Sequence, residues 1–164
     1  MWSGRLVPEK GAHLAVAAAR AAGLPLTLAG PVVDEEYFRT RVAPRLGGPV
    51  RYVGHLARAE LARLVGGASA TLVTPCWDEP YGLVVAESLA CGTPVCGFDR
   101  GALGEILTPE CGRLVPYADV DALASVVWRA RGLSRAGCRA RAEAFCSLGR
   151  MTDRYESLYE ELLS

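Results

Sequence analysis

The 164-residue sequence has little of several features that mark other classes of protein. Its 18 basic and 18 acidic side chains cancel to a formal net charge of zero, so it lacks the basic surface that binds nucleic acids or anionic membranes. No apolar run approaches the roughly 18 residues of a membrane-spanning helix, and Arg20 interrupts the longest alanine-rich stretch. We therefore predict no nucleic-acid partner and no transmembrane segment.

The six cysteines are too few for a disulfide framework, and their spacing contains neither a CxxC pair nor a His/Cys metal-binding pattern. The first 30 residues do not show the basic segment followed by an apolar one that is typical of a signal peptide, so none is expected there. These absences predict reduced thiols, a cytoplasmic location and no metal bound by cysteine or histidine, and we expect no other cofactor. Contact with a membrane surface would require another domain.

Apolar runs alternate with helical patterns along a chain that is 51% hydrophobic and long enough for one domain. Such alternation predicts an α/β fold, a single Rossmann-like, doubly wound parallel sheet with helices on both faces. The predicted strands cover residues 2–6, 24–29, 50–53, 70–74, 94–98 and 112–116. The predicted helices cover 11–22, 34–46 with Asp34 as N-cap, 59–65, 83–90 and three stretches after 119, where the arginine-rich run 129–141 is interpreted as a solvated face. Ligands of such sheets bind beyond the carboxyl ends of the strands.

Two cations follow the first predicted strand in GRLVPEKG, residues 4–11. An arginine fork can hold two phosphate oxygens and an ammonium acts as a point charge, so Arg5 and Lys10 together suit a diphosphate. Lys10 is the only lysine in the chain, which suggests that this position needs an ammonium. The alternative is a solvated turn in which Glu9 pairs with Lys10 or Arg5. The segment has neither a GxGxxG nor a P-loop pattern, which disfavours a hydride-transfer enzyme.

Two carboxylates separated by seven residues stand in EPYGLVVAE, residues 79–87. Gly82 opens the predicted helix, and the free N–H groups of a helix N-terminus can hold a phosphate. We expect Glu79 and Glu87 on opposite sides of a bound diphosphate, each accepting hydrogen bonds from a diol. Because the helix is otherwise apolar, we expect it to face the core, where an unpartnered Glu87 would be costly. The alternatives are a helix-terminal charge for Glu79 and a pairing with an arginine for Glu87.

Several motifs in this order resemble the C-terminal, donor-binding domain of retaining glycosyltransferases of the GT-B fold, the group-1 family. They are GR and KG at Arg5 and Lys10, LTLAGP, VRYVGHL, WDEPYGLVVAESLACGTPVCGF, DRGALGEIL and RYESLYEELL. The double-glutamate motif joined to GTPV is the most specific of them. The resemblance implies a full-length hexosyltransferase that moves a sugar from a UDP- or GDP-linked donor to an acceptor, without a metal.

The resemblance also implies roles for individual residues. The expected catalytic residues are Arg5, Lys10 and Glu79. Trp77, which the resemblance does not assign, is expected to form a wall of the site or to pack in the core. The expected ligands are Arg5, Lys10, Gly82 and Leu83 for the donor diphosphate, Glu79, Tyr81 and Gly82 for the donor sugar, and Glu87, Gly30, Pro31, His55 and Leu56 for the nucleoside.

The motifs cover one half of such an enzyme. Residues 1–164 are expected to form the nucleotide-sugar binding domain, with a first strand clipped before Trp2. The helix at 149–164 is expected to pack on a missing N-terminal acceptor domain, so the chain alone should transfer little or no sugar. Half of a nucleotide-sugar epimerase and a non-enzymatic nucleotide-sugar binding module are the alternative functions.

Overall fold

Six strands form one parallel sheet in the computed structural model, which describes residues 1–163. The strands are β1 (Trp2–Ser3), β2 (Leu26–Ala29), β3 (Val50–Tyr52), β4 (Thr71–Val73), β5 (Val95–Phe98) and β6 (Gly112–Val115). Their order across the sheet is β3-β2-β1-β4-β5-β6, and every pairing is parallel. This order confirms the predicted doubly wound fold. The direction in which successive strands are added reverses between β1 and β4, and such sheets bind ligands at this switch point.

Helices connect and flank the strands. They are α1 (Ala12–Ala21), α2 (Glu35–Tyr37), α3 (Arg58–Gly67), α4 (Leu83–Ala90), α5 (Leu103–Ile106), α6 (Val120–Ala130), α7 (Arg135–Cys146) and α8 (Leu148–Leu163). Helix α5 falls in a segment where the sequence predicts no element. Helix α8 corresponds to the predicted helix 149–164, whose last residue, Ser164, lies outside the described residues. None of the described helices combines the length and apolar character that crossing a bilayer requires.

The predicted helix 34–46 is less regular than expected. Asp34 caps it as predicted, since its Oδ1 accepts a hydrogen bond from the Tyr37 N–H at 2.8 Å. The chain then forms a π-helical segment, Phe38–Val42, and a 3-10 turn, Ala43–Arg45. Pro44 has no N–H to donate and its ring crowds the preceding turn, so a regular α-helix cannot continue through it.

The first strand is also shorter than predicted, because regular pairing covers only Trp2–Ser3. Leu6 forms an isolated parallel bridge to Val32, which lies beyond the end of β2. The remainder of the predicted first strand therefore lies outside the regular hydrogen-bonded ladder. Although β1 is short, it lies between β2 and β4 in the centre of the sheet. The loop that follows it therefore begins at the middle of the sheet edge.

Two hydrophobic clusters stabilise the domain. The first unites α1 and α6 with the sheet and includes Trp2, Val16, Leu28, Phe98 and Leu123. The second lies around α4, α5 and α7 and includes Val85, Leu89, Leu103, Ile106 and Cys138. The switch point lies between elements that belong to different clusters, since the β1 loop leads into α1 and α4 follows β4.

Three arginines of α7 fix the ends of three other helices. Arg135 donates a hydrogen bond to the carbonyl that follows α3 at 2.9 Å. Arg139 and Arg141 donate to the last carbonyls of α4 and α5, each at 2.7 Å. Carbonyls at a helix C-terminus have no partner within the helix. The arginine-rich run is therefore more than the solvated face predicted for it.

Candidate functional site

Two adjoining cavities open at the carboxyl ends of the central strands. One, here named the Lys10 cavity, is lined by Lys10, Glu79 and Gly82 together with residues at the ends of β1 and β4. The other, the Glu87 cavity, has a volume of about 300 Å³ and is lined by loops after β1, β2 and β3 and by α4. Both cavities have Ser3, Gly4 and Val84 in their walls, so they are neighbours that share a common wall.

The loop that carries Lys10 is clamped against the end of β4. Gly11 has a φ of +65°, and a Cβ at this position would stand 2.1 Å from the carbonyl oxygen of Thr74. The Thr74 hydroxyl donates a hydrogen bond to the Gly11 carbonyl at 2.9 Å. Both the left-handed conformation and the close backbone approach require glycine here, and together they fix Lys10 at the switch point.

Lys10 pairs with Glu79, on the loop after β4. Its ammonium contacts Oε2 of Glu79, and the side chains of Lys10 and Glu79 are only 23% and 15% exposed. The indole N–H of Trp77 donates to the same oxygen at 3.2 Å, and the Lys10 Nζ lies 4.9 Å from the centroid of the Trp77 ring. The structure thus joins two predicted catalytic residues and does not show the alternative pairing of Lys10 with Glu9.

The backbone of Glu79 is held by the turn that follows β5. The Ala102 N–H donates to the Glu79 carbonyl at 2.8 Å. Gly101, with a φ of +59°, packs so closely that a Cβ would lie 2.2 Å from this carbonyl oxygen. Beside it, Arg100 pairs with Asp78 at 3.1 Å. The loop is therefore positioned by main-chain contacts that do not depend on the carboxylate.

Gly82 begins α4 in a left-handed conformation with a φ of +86°, as its predicted place at the helix start suggests. The Val85 N–H donates to the Gly82 carbonyl at 2.8 Å, whereas the N–H groups before it have no carbonyl within the helix to bind. The side chains of Tyr81 and Leu83 are exposed and line neither cavity. Burial, with a smaller effect of Cys146, raises the pKa of Tyr81. For Leu83, the backbone N–H is the group available to a ligand.

The Glu87 cavity brings together all five residues predicted to contact a nucleoside. It is lined by Glu87, Gly30, Pro31, His55 and Leu56, together with Arg5. Arg5 and Lys10, predicted to share one diphosphate, thus lie in different cavities, and a diphosphate would have to span the common wall to reach both.

Glu87 itself is exposed, contrary to the prediction that its helix face packs on the core. Helix α4 turns Val85 and Leu89 into the core instead, and Glu87 lies on the side that faces the cleft. Within residues 1–163 no ion pair or hydrogen bond engages its carboxylate. The predicted alternative, a pairing with an arginine, is therefore absent from the described residues.

The floor of the Glu87 cavity is fixed by Gly30. A Cβ at Gly30, where φ is +143°, would stand 1.8 Å from the carbonyl oxygen of Gly4. The Gly30 carbonyl accepts a hydrogen bond from the Tyr52 hydroxyl at 2.8 Å, and its N–H donates to the Gly54 carbonyl at 2.9 Å. Only glycine permits the loops after β1, β2 and β3 to meet so closely.

His13, in the first turn of α1, lines neither cavity. Its Nδ1 lies 2.8 Å from the hydroxyl of Tyr37. Burial, together with the nearby charges of Arg41 and Arg45, lowers the pKa of His13, and burial raises that of Tyr37. Among residues 1–163, no three His, Cys, Asp or Glu side chains cluster as metal ligands would.

A separate cavity of about 400 Å³ lies at the opposite, amino ends of the strands. Met1, Arg51, Arg63 and Arg131 belong to its lining, and no predicted site residue does. The amino group of Met1 donates to the Ala70 carbonyl at 2.8 Å. Burial lowers the pKa of this amino group to about 6.

Comparison with known proteins decides the family. A family model described as "Glycosyl transferases group 1" matches residues 1–130. The chain belongs to this glycosyltransferase family. Glycogen synthase of Mycobacterium tuberculosis (strain H37Rv) is 36% identical over 134 residues, which are 77% of this chain and 32% of that relative.

A second relative is the GDP-mannose-dependent alpha-(1-6)-phosphatidylinositol dimannoside mannosyltransferase of M. tuberculosis (strain H37Ra). It is 34% identical over 150 residues, which are 87% of this chain and 39% of the relative. The chain thus spans between about a third and two fifths of the length of the curated relatives that it matches.

A solved structure has the same fold. The crystal structure of AviGT4, a glycosyltransferase involved in avilamycin A biosynthesis, has a TM-score of 0.84 and 32% identity; the match covers 99% of this chain and 51% of that chain. The expected fold, a C-terminal Rossmann-like domain of the GT-B type, is therefore confirmed.

Proposed function

We propose that this domain binds a nucleoside-diphosphate sugar across the Lys10 and Glu87 cavities as the donor half of a retaining glycosyltransferase. One observation carries the proposal: the five residues predicted for the nucleoside line one cavity, and the Lys10–Glu79 pair lines the cavity that shares its walls. The name of the mannosyltransferase relative, which is GDP-mannose-dependent, supports a nucleotide-sugar donor.

In the proposed complex the donor lies along the edge of the sheet. The ribose diol donates to the unpaired carboxylate of Glu87, and the base lies between the loops at Gly30 and His55. The diphosphate spans the wall between the cavities, where Arg5, Lys10 and the N-terminus of α4 supply positive charge. The sugar then reaches Glu79, whose carboxylate accepts hydrogen bonds from its hydroxyls.

The same groups account for the proposed chemistry. Transfer breaks the bond between the anomeric carbon and the phosphate oxygen and forms a bond from that carbon to an acceptor hydroxyl oxygen. Negative charge develops on the departing diphosphate, which accepts the hydroxyl proton. Arg5, Lys10 and the N–H groups at the start of α4 would stabilise that charge from fixed positions, and we propose that they do so without a metal. Loss of one such fixed donor typically lowers a rate by about 10² to 10³.

We further propose that a separate domain binds the acceptor and completes the cleft. The matched parts of the curated relatives are 32% and 39% of their lengths, which leaves ample chain for that role in those proteins. By itself, the 164-residue chain should bind donor nucleotide weakly and transfer little or no sugar. Efficient transfer by the purified chain alone would contradict this part of the proposal.

Donor binding can be tested with a panel of nucleotides. UDP, GDP and their hexose derivatives should raise the melting temperature of the chain for at least one base, because a ligand that binds only the folded state stabilises it. Glu87→Ala should weaken nucleoside-diphosphate binding about tenfold by calorimetry, in line with the loss of hydrogen bonds to a charged group.

Glu79→Ala is the matched control, since it removes a carboxylate from the same motif but from the sugar end of the site. It should affect the nucleoside diphosphate less than Glu87→Ala does. Equal losses from both substitutions, or no shift with any nucleotide, would count against the proposed function.

A further inference from the structure

Trp77 contacts both members of the Lys10–Glu79 pair. It lies on the loop between β4 and Glu79, and it is 40% exposed. Its indole N–H donates to Oε2 of Glu79 at 3.2 Å, and its ring faces the Lys10 ammonium at 4.9 Å.

Both contacts to Glu79 fall on the same oxygen. Oε2 accepts from Lys10 and from Trp77, whereas within residues 1–163 no hydrogen bond reaches Oε1. A carboxylate held through one oxygen presents the other in a defined direction. Oε1 of Glu79 is therefore the atom left to accept a hydrogen bond from a ligand hydroxyl.

In the proposed complex, the donor diphosphate is a second anionic partner for Lys10. A diphosphate carries more negative charge than a carboxylate and attracts the ammonium, which has three N–H groups to distribute. As Lys10 turns towards the phosphate, Glu79 loses part of its cationic partner. The indole N–H of Trp77, a neutral donor that a phosphate does not attract in the same way, still holds Oε2.

We propose that Trp77 is a positioning residue that keeps Glu79 oriented towards the donor sugar while Lys10 engages the diphosphate. This inference rests on the proposed function and deepens it, because it names a residue that acts on the sugar end of the donor and not on the nucleotide. Trp77 does not itself touch the reacting atoms. Its effect passes through the carboxylate of Glu79.

The decisive variant is Trp77→Phe, which keeps an aromatic ring near Lys10 and removes the indole N–H. The measurement is calorimetric binding of UDP and UDP-glucose, and of GDP and GDP-mannose, to the full chain. For each pair, the dissociation constant of the nucleoside diphosphate is divided by that of the nucleotide sugar. This ratio isolates the contribution of the sugar to binding. We expect Trp77→Phe to lower this ratio about three- to tenfold, the range for loss of one hydrogen bond of ordinary net strength, because Lys10 still contacts Glu79 in part. We expect the affinity for the nucleoside diphosphate to stay unchanged.

Trp128→Phe is the matched control. Trp128 is 51% exposed, and its indole N–H donates to the Ala22 carbonyl at 3.1 Å, outside both cavities. This variant loses the same group at a similar exposure, so the ratio should not change. In a Glu79→Ala background, Trp77→Phe should also have no further effect on the ratio, because positioning requires the carboxylate.

The outcomes separate this inference from the proposed function. A ratio unchanged by Trp77→Phe, equal weakening of nucleoside diphosphate and nucleotide sugar, or additivity with Glu79→Ala would each overturn the role of Trp77 and leave donor binding standing. If neither nucleotide pair binds the unsubstituted chain, the proposed function fails and this inference fails with it. Should Trp77→Phe not fold, Trp77→Leu, which also has no side-chain hydrogen-bond donor, should give the same lowered ratio.

Discussion

The two ends of the sheet offer very different surroundings to a ligand. The amino-end cavity is the roomier, at about 400 Å³, and three arginines and the Met1 amino group lie along it. The carboxyl-end cavities are smaller, but an ion pair, an unpaired carboxylate and a helix N-terminus converge there. In a parallel sheet every following helix begins at the carboxyl end, so its positive end points there. Convergence of such groups, and not volume, distinguishes the site.

The largest effect should come from the glycine that closes the Lys10 loop. Gly11 at the carboxyl end and Gly23 at the amino end both have a φ of +65°, but a Cβ would meet the Thr74 carbonyl at 2.1 Å in the first case and nothing within 4 Å in the second. Gly11→Ala should lower the free energy of unfolding by about 3 kcal/mol, from backbone strain plus overpacking.

Gly23→Ala carries the strain alone and should cost about 1 kcal/mol. Urea unfolding of both variants measures the difference. Similar losses would mean that the close approach of the two loops does not constrain the carboxyl end as the structure indicates.

The next largest effect should come from removing one cation at each end of the sheet. Lys10→Ala should weaken UDP or GDP binding about ten- to a hundredfold, because hydrogen bonds to charged groups contribute about 1.5–3 kcal/mol each. Arg63→Ala, which removes a cation from the amino-end cavity, should leave affinity within about twofold. Lys10→Arg keeps the charge with a different geometry and should still slow transfer in a full-length enzyme. Equal losses from Lys10→Ala and Arg63→Ala, measured by calorimetry, would remove the distinction between the ends.

The smallest effect is a pH dependence of stability, which comes from the Met1 amino group at the amino ends of the strands. Burial lowers the pKa of the Met1 amino group from 8.0 to about 6. Between these values the unfolded chain binds more protons than the folded chain, so stability rises with pH. From pH 6 to pH 8 the free energy of unfolding should increase by about 1–2 kcal/mol. The lowered pKa of His13 acts in the same direction.

Acetylation of the Met1 amino group removes its charge and provides the control for this pH dependence. Urea unfolding of the acetylated chain between pH 6 and pH 8 should show a smaller slope. An identical slope would assign the effect to other groups.

The alternation of apolar runs and helical patterns was sufficient to predict the parallel sheet and the helices around it. The residues that line the Glu87 cavity were predicted from the resemblance to the group-1 family; the topology alone indicates only that loops after parallel strands meet at one edge of the sheet. Helix-start glycines and the Asp34 cap act locally, over a few residues, and so are visible in the sequence as well.

Contacts between distant segments could not be predicted in this way. Lys10 and Glu79 lie 69 positions apart, and the local sequence made Glu9 an equally reasonable partner for Lys10. The exposure of Glu87 depends on how α4 is rotated, which is set by packing against α7 and not by the apolar content of the helix. The irregular path after Tyr37 likewise reflects a balance between Pro44 and the tertiary contacts of its neighbours.

The pairing of Lys10 with Glu79 has a consequence for folding as well as for binding. Lys10 is attached to elements of the first hydrophobic cluster, and the loop of Glu79 leads into α4, which belongs to the second. Contacts of such long sequence separation form only after the intervening chain has closed into a loop. The site therefore requires both parts of the domain, and a partly folded chain with one cluster intact would keep secondary structure without bringing Lys10 and Glu79 together.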